Sequence, residues 1–323
     1  MVMNREGESL TWPSYDELPV MEGLGMAQSW AYFGWGDELG SLNNIDESVV
    51  LASVNEVVTG ERIGVSLEMS AVDPPLYGRD PLIHSFSQTS RNTWDDQLDR
   101  FNLQGSTQWD GFRHVRCREF GFYGGVRDDP PAMGARLGVQ HWAENGVITR
   151  GVLLDVERHF AQGDVGYEAM VKRSISAAQL EDIAKEQGVE IRRGDVLCLR
   201  FGWTAAYRKL DEQSRRAIAD PDVQLSYAGL AADENMARAL WDWRVAAVAC
   251  DNPAVEVSPG DPTVGSLHRR LIPALGVVLG ELFDFDRLAA RCAEDSRWSF
   301  LFLSVPLNLQ GGVGSPANAI AIR

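Results

Sequence analysis

Cysteine is sparse in this chain of 323 residues, and its four copies are scattered. Cys117, Cys198, Cys250 and Cys292 show no Cys-x-x-Cys spacing. They read as buried free thiols rather than as a zinc knuckle or a disulfide framework, and a cytoplasmic setting follows from that usage. Cations are also in short supply: 30 Lys and Arg stand against 46 Asp and Glu, for a net charge of −16. No dense basic run occurs, so the clustered charge that nucleic acid binding needs is missing. The acidity reads most simply as a solubility feature. No apolar run has the length of a membrane-spanning helix, and the N-terminus lacks the basic-then-apolar order of a signal peptide. There is no Gly-x-Ser-x-Gly elbow and no Gly-x-Gly-x-x-Gly after a strand, so serine-hydrolase chemistry and dinucleotide binding have no support. Internal repeats and low-complexity linkers are absent as well.

What is present is an ordinary globular balance, 45 % hydrophobic and 24 % charged, in a chain long enough for a substantial core. Residues 1–12 read as a loose polar tail and 13–323 as a single domain. Residues 46–58 have the acidic opening of a helix that closes near Gly60. Ser176 to Gln187 is a second helix, with Ser176 as its cap, Gln179 completing a capping box and Gly188 as its stop. A third is expected over 233–243. Between them, Val152–Val156, Val196–Phe201, Val245–Cys250 and Phe300–Val305 have strand length and apolar content. The nearly unbroken apolar run at 245–250 predicts a strand covered on both faces. The fold class is therefore α/β, a mixed sheet with flanking helices, with chemistry expected where strands end in polar or Gly/Pro segments.

The densest polar run is Gln104-Gly-Ser-Thr-Gln-Trp-Asp-Gly-Phe-Arg-His114. It holds two amides, a carboxylate, a guanidinium and an imidazole in eleven residues, a density foreign to a core element. A hydrogen-bonded turn, in which Gln104 and Gln108 satisfy backbone groups, is its simplest reading. Far downstream, His268 and Glu281 bracket the apolar run 271–279. A buried Glu281 would need a partner, and Arg269 or Arg270 could supply one.

This layout resembles the metal site of the cyclase family of kynurenine formamidase-like and isatin hydrolase-like enzymes, whose signature is His-x-Gly-Thr-His-x-Asp-x-Pro-x-His. Asp110 and His114 match it, while Gln104 and Gln108 stand where the family has histidines. His268 and Glu281 match the later His and Glu that complete the family's metal shell. Arg200-Phe201-Gly202-Trp203, Asp251-Asn252-Pro253-Ala254-Val255-Glu256 and Gly311-Gly312-Val313-Gly314-Ser315-Pro316 resemble three further segments of the family. Their order and spacing cover most of residues 37–322. The resemblance implies a cyclase-type, swivelling β/β/α-like fold, a homodimer or larger assembly, and small-molecule substrates.

It also implies one divalent metal held by Gln104, Gln108, Asp110, His268 and Glu281, with His114 and Glu281 as catalytic groups. Amide oxygens are weaker, harder donors than imidazole, so manganese or magnesium is better tolerated than zinc. Chemistry without a metal stays open. Trp94, Trp109, Arg113 and Trp203 are the candidate substrate contacts, the tryptophans for a cyclic or aromatic group and the arginine for an anion. His84 could line the pocket or serve structure. Asp95 and Asp96 read as a solvated loop, His141 as structural and His159 as exposed.

Three functions follow for testing. The first is a metal-dependent hydrolase of a small cyclic or aromatic amide, lactam, lactone or formamide. The second is a metal-free cyclase, isomerase or dehydratase moving protons with His114 and a carboxylate. The third is a binding protein that has lost its chemistry, which the joint survival of Asp110, His114, His268 and Glu281 argues against.

Overall fold

The computed structural model describes residues 12–163 and 166–323. The tail expected over 1–12 therefore lies outside the described residues except for Trp12, which stacks on Trp241 at 4.4 Å between ring centroids. Nine strands form one mixed sheet: β1 (Arg62–Gly64), β2 (Gln108–Asp110), β3 (Val147–Asp155), β4 (Val196–Arg200), β5 (Ala247–Cys250), β6 (Val278–Glu281), β7 (Ser299–Ser304), β8 (Gly314–Pro316) and β9 (Ala319–Ile322). Their order across the sheet is β8-β2-β6-β5-β4-β3-β7-β9-β1. The central four, β6-β5-β4-β3, run parallel, and antiparallel strands extend the sheet on both sides.

The parallel strands are apolar because both faces are covered. Every residue of β5 is buried, as is β4 up to Leu199. The four strands expected from apolar runs all form, within a residue or two at most ends; β3 differs, starting five residues earlier at Val147. Its extra length contains Thr149 and Arg150, whose polarity masks a strand in the sequence. Their groups are satisfied inside the fold: Thr149 donates to the Gly194 carbonyl and Arg150 forms a paired contact with Asp195.

The helices start where their caps predict. Ser176 and Gln179 make the reciprocal capping box ahead of Ala177–Gln187, and Gly188 closes that helix in the left-handed conformation. Asp233 caps Glu234–Asp242. Asp46 caps Glu47–Ser53, but that helix passes into a 3-10 turn ending at Glu56, short of the expected 58. An antiparallel hairpin, Ile83–Ser90 with Thr93–Asp99, was not legible as strands, because nearly all its residues are polar or exposed. Its two strands pair only with each other among the described residues.

Candidate active site

The site is built where β2 meets β6. Successive residues of a strand face opposite ways, so Gln108 and Asp110 share one face of β2 and Trp109 takes the other. In the register, Glu281 lies opposite Gln108, and Gly280 lies opposite Trp109. Gly280 is required there, since a Cβ would sit 2.6 Å from the Trp109 ring. The cross-strand pair brings the Gln108 amide Nε2 to donate to Glu281 Oε2 at 2.5 Å.

His268 arrives from a short helical turn, Leu267–Arg269, that runs into a π-helical segment at Arg270–Leu275 before β6 begins. Glu256 secures this turn. Its carboxylate accepts from the Leu267 amide at 2.5 Å, from the Ser266 hydroxyl at 3.0 Å and from His268 Nδ1 at 2.8 Å. With Nδ1 committed, His268 Nε2 faces Glu281 Oε1 at 3.1 Å and Asp110 Oδ2 at 3.6 Å. His114 Nε2 stands 3.8 Å from the other Asp110 oxygen, Oδ1, and its side chain is partly open to solvent.

The charges are set by burial and by these neighbours. Burial raises the Glu281 pKa, the nearby Asp110 charge adds to it, and the result is about 7 despite His268. For Asp110, burial acts upward, but His114 and His268 together prevail and hold the carboxyl below its usual value. For His268, burial favours the neutral ring, yet the surrounding carboxylates of Asp110, Glu256 and Glu281 raise its pKa well above the ordinary value. Asp110 is fully buried, and neither of its oxygens has a hydrogen-bond partner among the described residues. The Gln108 Oε1 is orphaned in the same way. Buried acceptors left unpaired in this manner are rare and call for an explanation.

One donor atom each from Asp110, His268 and Glu281 lies within 4.8 Å of the others, a spacing that suits one cation. Two carboxylates and an imidazole, with an amide oxygen beside them, fit a divalent ion of intermediate to hard character. The site opens onto a cavity of about 460 Å³, lined by Tyr77, Arg79, His114, Tyr227, Ser258 and Ser266 among others. That volume suits a small ligand. Arg79 donates to the Gln104 carbonyl at 2.6 Å and lies over the Tyr77 ring, 5.1 Å from its centroid. The Tyr77 and Tyr227 hydroxyls meet at 2.9 Å. Burial raises the Tyr77 phenol to about 12. Tyr77 also adopts a φ of 61°, unusual for an aromatic residue and a local strain at the cavity wall.

Of the residues singled out in the sequence, Gln108, Asp110, His114, His268 and Glu281 come together. Glu281 is partnered by His268 and Gln108, not by Arg269 or Arg270. Gln104 does not hydrogen-bond to the cluster among the described residues; its amide lies against Gly314 on β8, which pairs with Asp110. The four expected substrate contacts lie elsewhere, each for a physical reason. Trp109 faces the core between Phe283 and Phe302 and donates to Ser304. The Arg113 guanidinium is buried and donates to the carbonyls of Pro130, Gly134, Arg136 and Gly311, which ties loops together. Trp203 is buried against Tyr207. Trp94 sits on the hairpin, 64 % exposed.

The other histidines also resolve. His84 pairs with Asp96 on the hairpin, His141 contacts the Ala135 carbonyl, and His159 is half-buried against Glu186 rather than free. The sequence reading missed Tyr77, Arg79 and Tyr227 as lining residues and gave Glu256 no role. Only Glu256 carried a signal, as the acidic end of the Asp251–Glu256 segment.

The three lesser motifs converge on the same region. Asp251 accepts from the amides of Phe201 and Gly202, joining two of them at the ends of β4 and β5. Arg200 is held by Asp155, Glu157 and Asp286. Gly314–Pro316 is the strand that flanks Asp110.

Comparison with known proteins agrees with this frame. A crystal structure of a novel cyclase superposes with a TM-score of 0.80 at 28 % identity, covering 92 % of this chain and 99 % of that one. Isatin hydrolase A from Labrenzia aggregata, bound to benzyl benzoate, gives 0.57 at 11 % identity over 81 % of this chain and 93 % of its own. An isatin hydrolase bound to the product analogue thioisatinate gives 0.55 at 13 %, covering 86 % and 98 %. At these identities the two hydrolases are alike in fold. No curated protein matches the sequence. No helix among the described residues is long and apolar enough to cross a membrane. The family model described as "Putative cyclase" matches residues 62–257, more than half of the chain, and the chain belongs to that cyclase family.

Proposed function

We propose that this chain is a metal-dependent hydrolase that attacks the carbonyl carbon of a small cyclic or aromatic amide, lactam, lactone or formamide. The observation that carries the reading is the buried, ionised carboxylate of Asp110, which lacks a hydrogen-bond donor among the described residues although His268 and His114 stand 3.6 and 3.8 Å away. Such a group is costly unless a cation completes it. Asp110, His268 and Glu281 would hold the ion, with the Gln108 Oε1 as a further oxygen donor. A divalent ion there would supply Lewis-acid polarisation of a carbonyl and an activated water.

The chain's own residues do the rest. Gln108 orients Glu281, and Glu256 fixes the His268 ring so that Nε2 points inward. His114, beside Asp110 and open to the cavity, takes a proton from water and returns it to the leaving nitrogen or oxygen. Tyr77 and Tyr227 form an aromatic wall for a ring-bearing substrate, and Arg79 offers a cation to a substrate carboxylate or carbonyl oxygen.

One observation favours a second reading, a metal-free cyclase or isomerase. Glu281 is held near 7, so it can give and take protons at neutrality beside His268. Metal analysis by plasma mass spectrometry, on protein purified without chelators, separates the two. About one manganese, zinc or magnesium per chain supports the hydrolase; none, after dialysis against each ion, sinks it. In the hydrolase, His114→Ala lowers turnover of the amide or lactone substrate by about 10²–10⁴-fold and leaves metal content unchanged.

A further inference from the structure

The cavity beside the Asp110 cluster has a charge pattern of its own. On its wall, Glu256 and Glu281 are both matched with His268. Arg79 is the one Lys or Arg among the described residues that line it, and it forms no ion pair among those residues. Elsewhere in the fold, Arg136, Arg150, Arg193 and Arg200 each hold at least one carboxylate. A guanidinium has five N–H donors, and Arg79 spends one of them on the Gln104 carbonyl, at 2.6 Å.

That cation is held in one place. The Gln104 carbonyl fixes one nitrogen, and the Tyr77 ring lies against the head group, 5.1 Å from centroid to guanidinium carbon. Tyr77, with φ of 61°, and Gly78, with φ of 67°, both take the left-handed conformation, and this turn leaves Tyr77 and Arg79 on the same wall. Strain of this kind in an aromatic residue persists where the surroundings fix it, and it gathers at ligand sites.

We propose that the substrate carries a carboxylate besides the bond that is cleaved, and that Arg79 is the residue that selects it. The cleaved bond rests on the hydrolase reading above; the recognition does not. A carbonyl oxygen would take one of the free N–H groups and leave the positive charge uncompensated. A carboxylate takes two in parallel and cancels that charge. A phosphate suits the site less, because its second charge would face Glu256 and Glu281 with a single guanidinium against it. The anion would also sit near the reacting centre: the Asp110 and Glu281 carboxyls, shifted mainly by burial, both feel the Arg79 charge. Carboxylate and scissile carbonyl therefore belong to one small molecule, within a cavity of about 460 Å³ whose wall includes Tyr77 and Tyr227.

Isothermal titration calorimetry on the full chain as purified tests this, with ortho-, meta- and para-acetamidobenzoate each compared with its neutral carboxamide. At least one acid is expected to bind about 10–100-fold more tightly than its amide. Arg79→Met should reduce that preference to within about twofold, and Arg79→Lys, which keeps the charge and loses the planar fork, should fall between the two. No acid preferred over its amide by the native chain would overturn the proposal, and that comparison needs no variant. A preference that survives Arg79→Met would put the carboxylate on the site's metal or histidines and overturn it too. If the methionine variant does not fold, a lysine variant with the full native preference refutes the selective fork. Repeating the titrations after dialysis against a chelator separates this proposal from the hydrolase reading. An acid preference that persists with no metal bound and no amide turned over upholds Arg79 and sinks the hydrolase.

Discussion

Asp110→Asn isolates the central claim about the site. The substitution keeps the side chain's volume and removes one negative charge from a fully buried position. If Asp110, His268 and Glu281 hold a divalent ion, free metal at 100 times its dissociation constant stabilises the native protein by about 2.7 kcal/mol. For a chain of this size each kcal/mol is worth roughly 2 °C, so manganese should raise the melting temperature by about 5 °C. Asparagine leaves a neutral oxygen facing one of His268 and His114 and turns an N–H donor toward the other. A loss of about 100-fold in affinity brings the same metal concentration down to one dissociation constant. The stabilisation then shrinks to about 0.4 kcal/mol, under 1 °C. Differential scanning calorimetry, with and without manganese, magnesium and zinc, measures both proteins. A native protein that ignores every ion, or a variant that keeps the full shift, would refute the reasoning.

Glu256→Gln should weaken metal binding by about 10–100-fold without touching the ion, because the second partner of a ligating histidine sets its orientation; an unchanged dissociation constant by calorimetric titration would remove Glu256 from that role. Trp109→Ala should lower stability by about 3–5 kcal/mol, with the metal response intact in the protein that remains folded; a change in substrate KM with little loss of stability would mean that Trp109 faces the cavity after all. Metal affinity should rise with pH across roughly 6 to 8, since Glu281 and His268 must both shed protons to bind; a flat profile would disqualify the pair as ligands. Without metal the slope of stability is opposite. His268, raised above its ordinary value, stabilises below 6.5 and loses that contribution as pH rises through its folded value. Glu281, raised from 4.5 to about 7, acts in the same direction over its own window. Melting temperature of the metal-free protein should therefore fall from pH 5 upward, and a rise would contradict the assigned shifts.

The legible parts of this protein were those with local causes. The cap at Ser176 announced its helix because the bonds it makes lie within three residues. The parallel strands were legible because burial on both faces leaves an apolar run. Long-range effects were not. The first half of β3 carries Thr149 and Arg150, and its strand depends on pairing with β7 and on Asp195 and the Gly194 carbonyl, 45 residues away. The tryptophans near the polar run were expected at the substrate, yet period-two alternation turns Trp109 into the core. Arg113 illustrates the same limit: three carbonyls from residues 130–136 and a fourth at Gly311 claim it, and no local pattern records them. Tyr77 and Arg79 line the cavity through a loop whose path the sequence does not betray.

The two glutamines show why the site should be judged by partners rather than by matched letters. At position 108 the amide does something an imidazole ligand would not. It donates to Glu281 while its own oxygen stays buried without a hydrogen-bond partner among the described residues, so one side chain both orients a carboxylate and keeps an acceptor open. At position 104 the amide packs against Gly314, the residue opposite Asp110, and makes no hydrogen bond to the cluster among the described residues. One replacement is therefore built into the hydrogen-bond network, and the other borders it. A site in decay would shed its buried charges first, because an unpaired carboxylate in the interior destabilises the fold. Here Asp110 remains charged, buried and without a donor, held in place by the β-ladders on both its sides. That arrangement fits the proposed reading, in which a cation or a reacting proton lies between Asp110, His268 and His114.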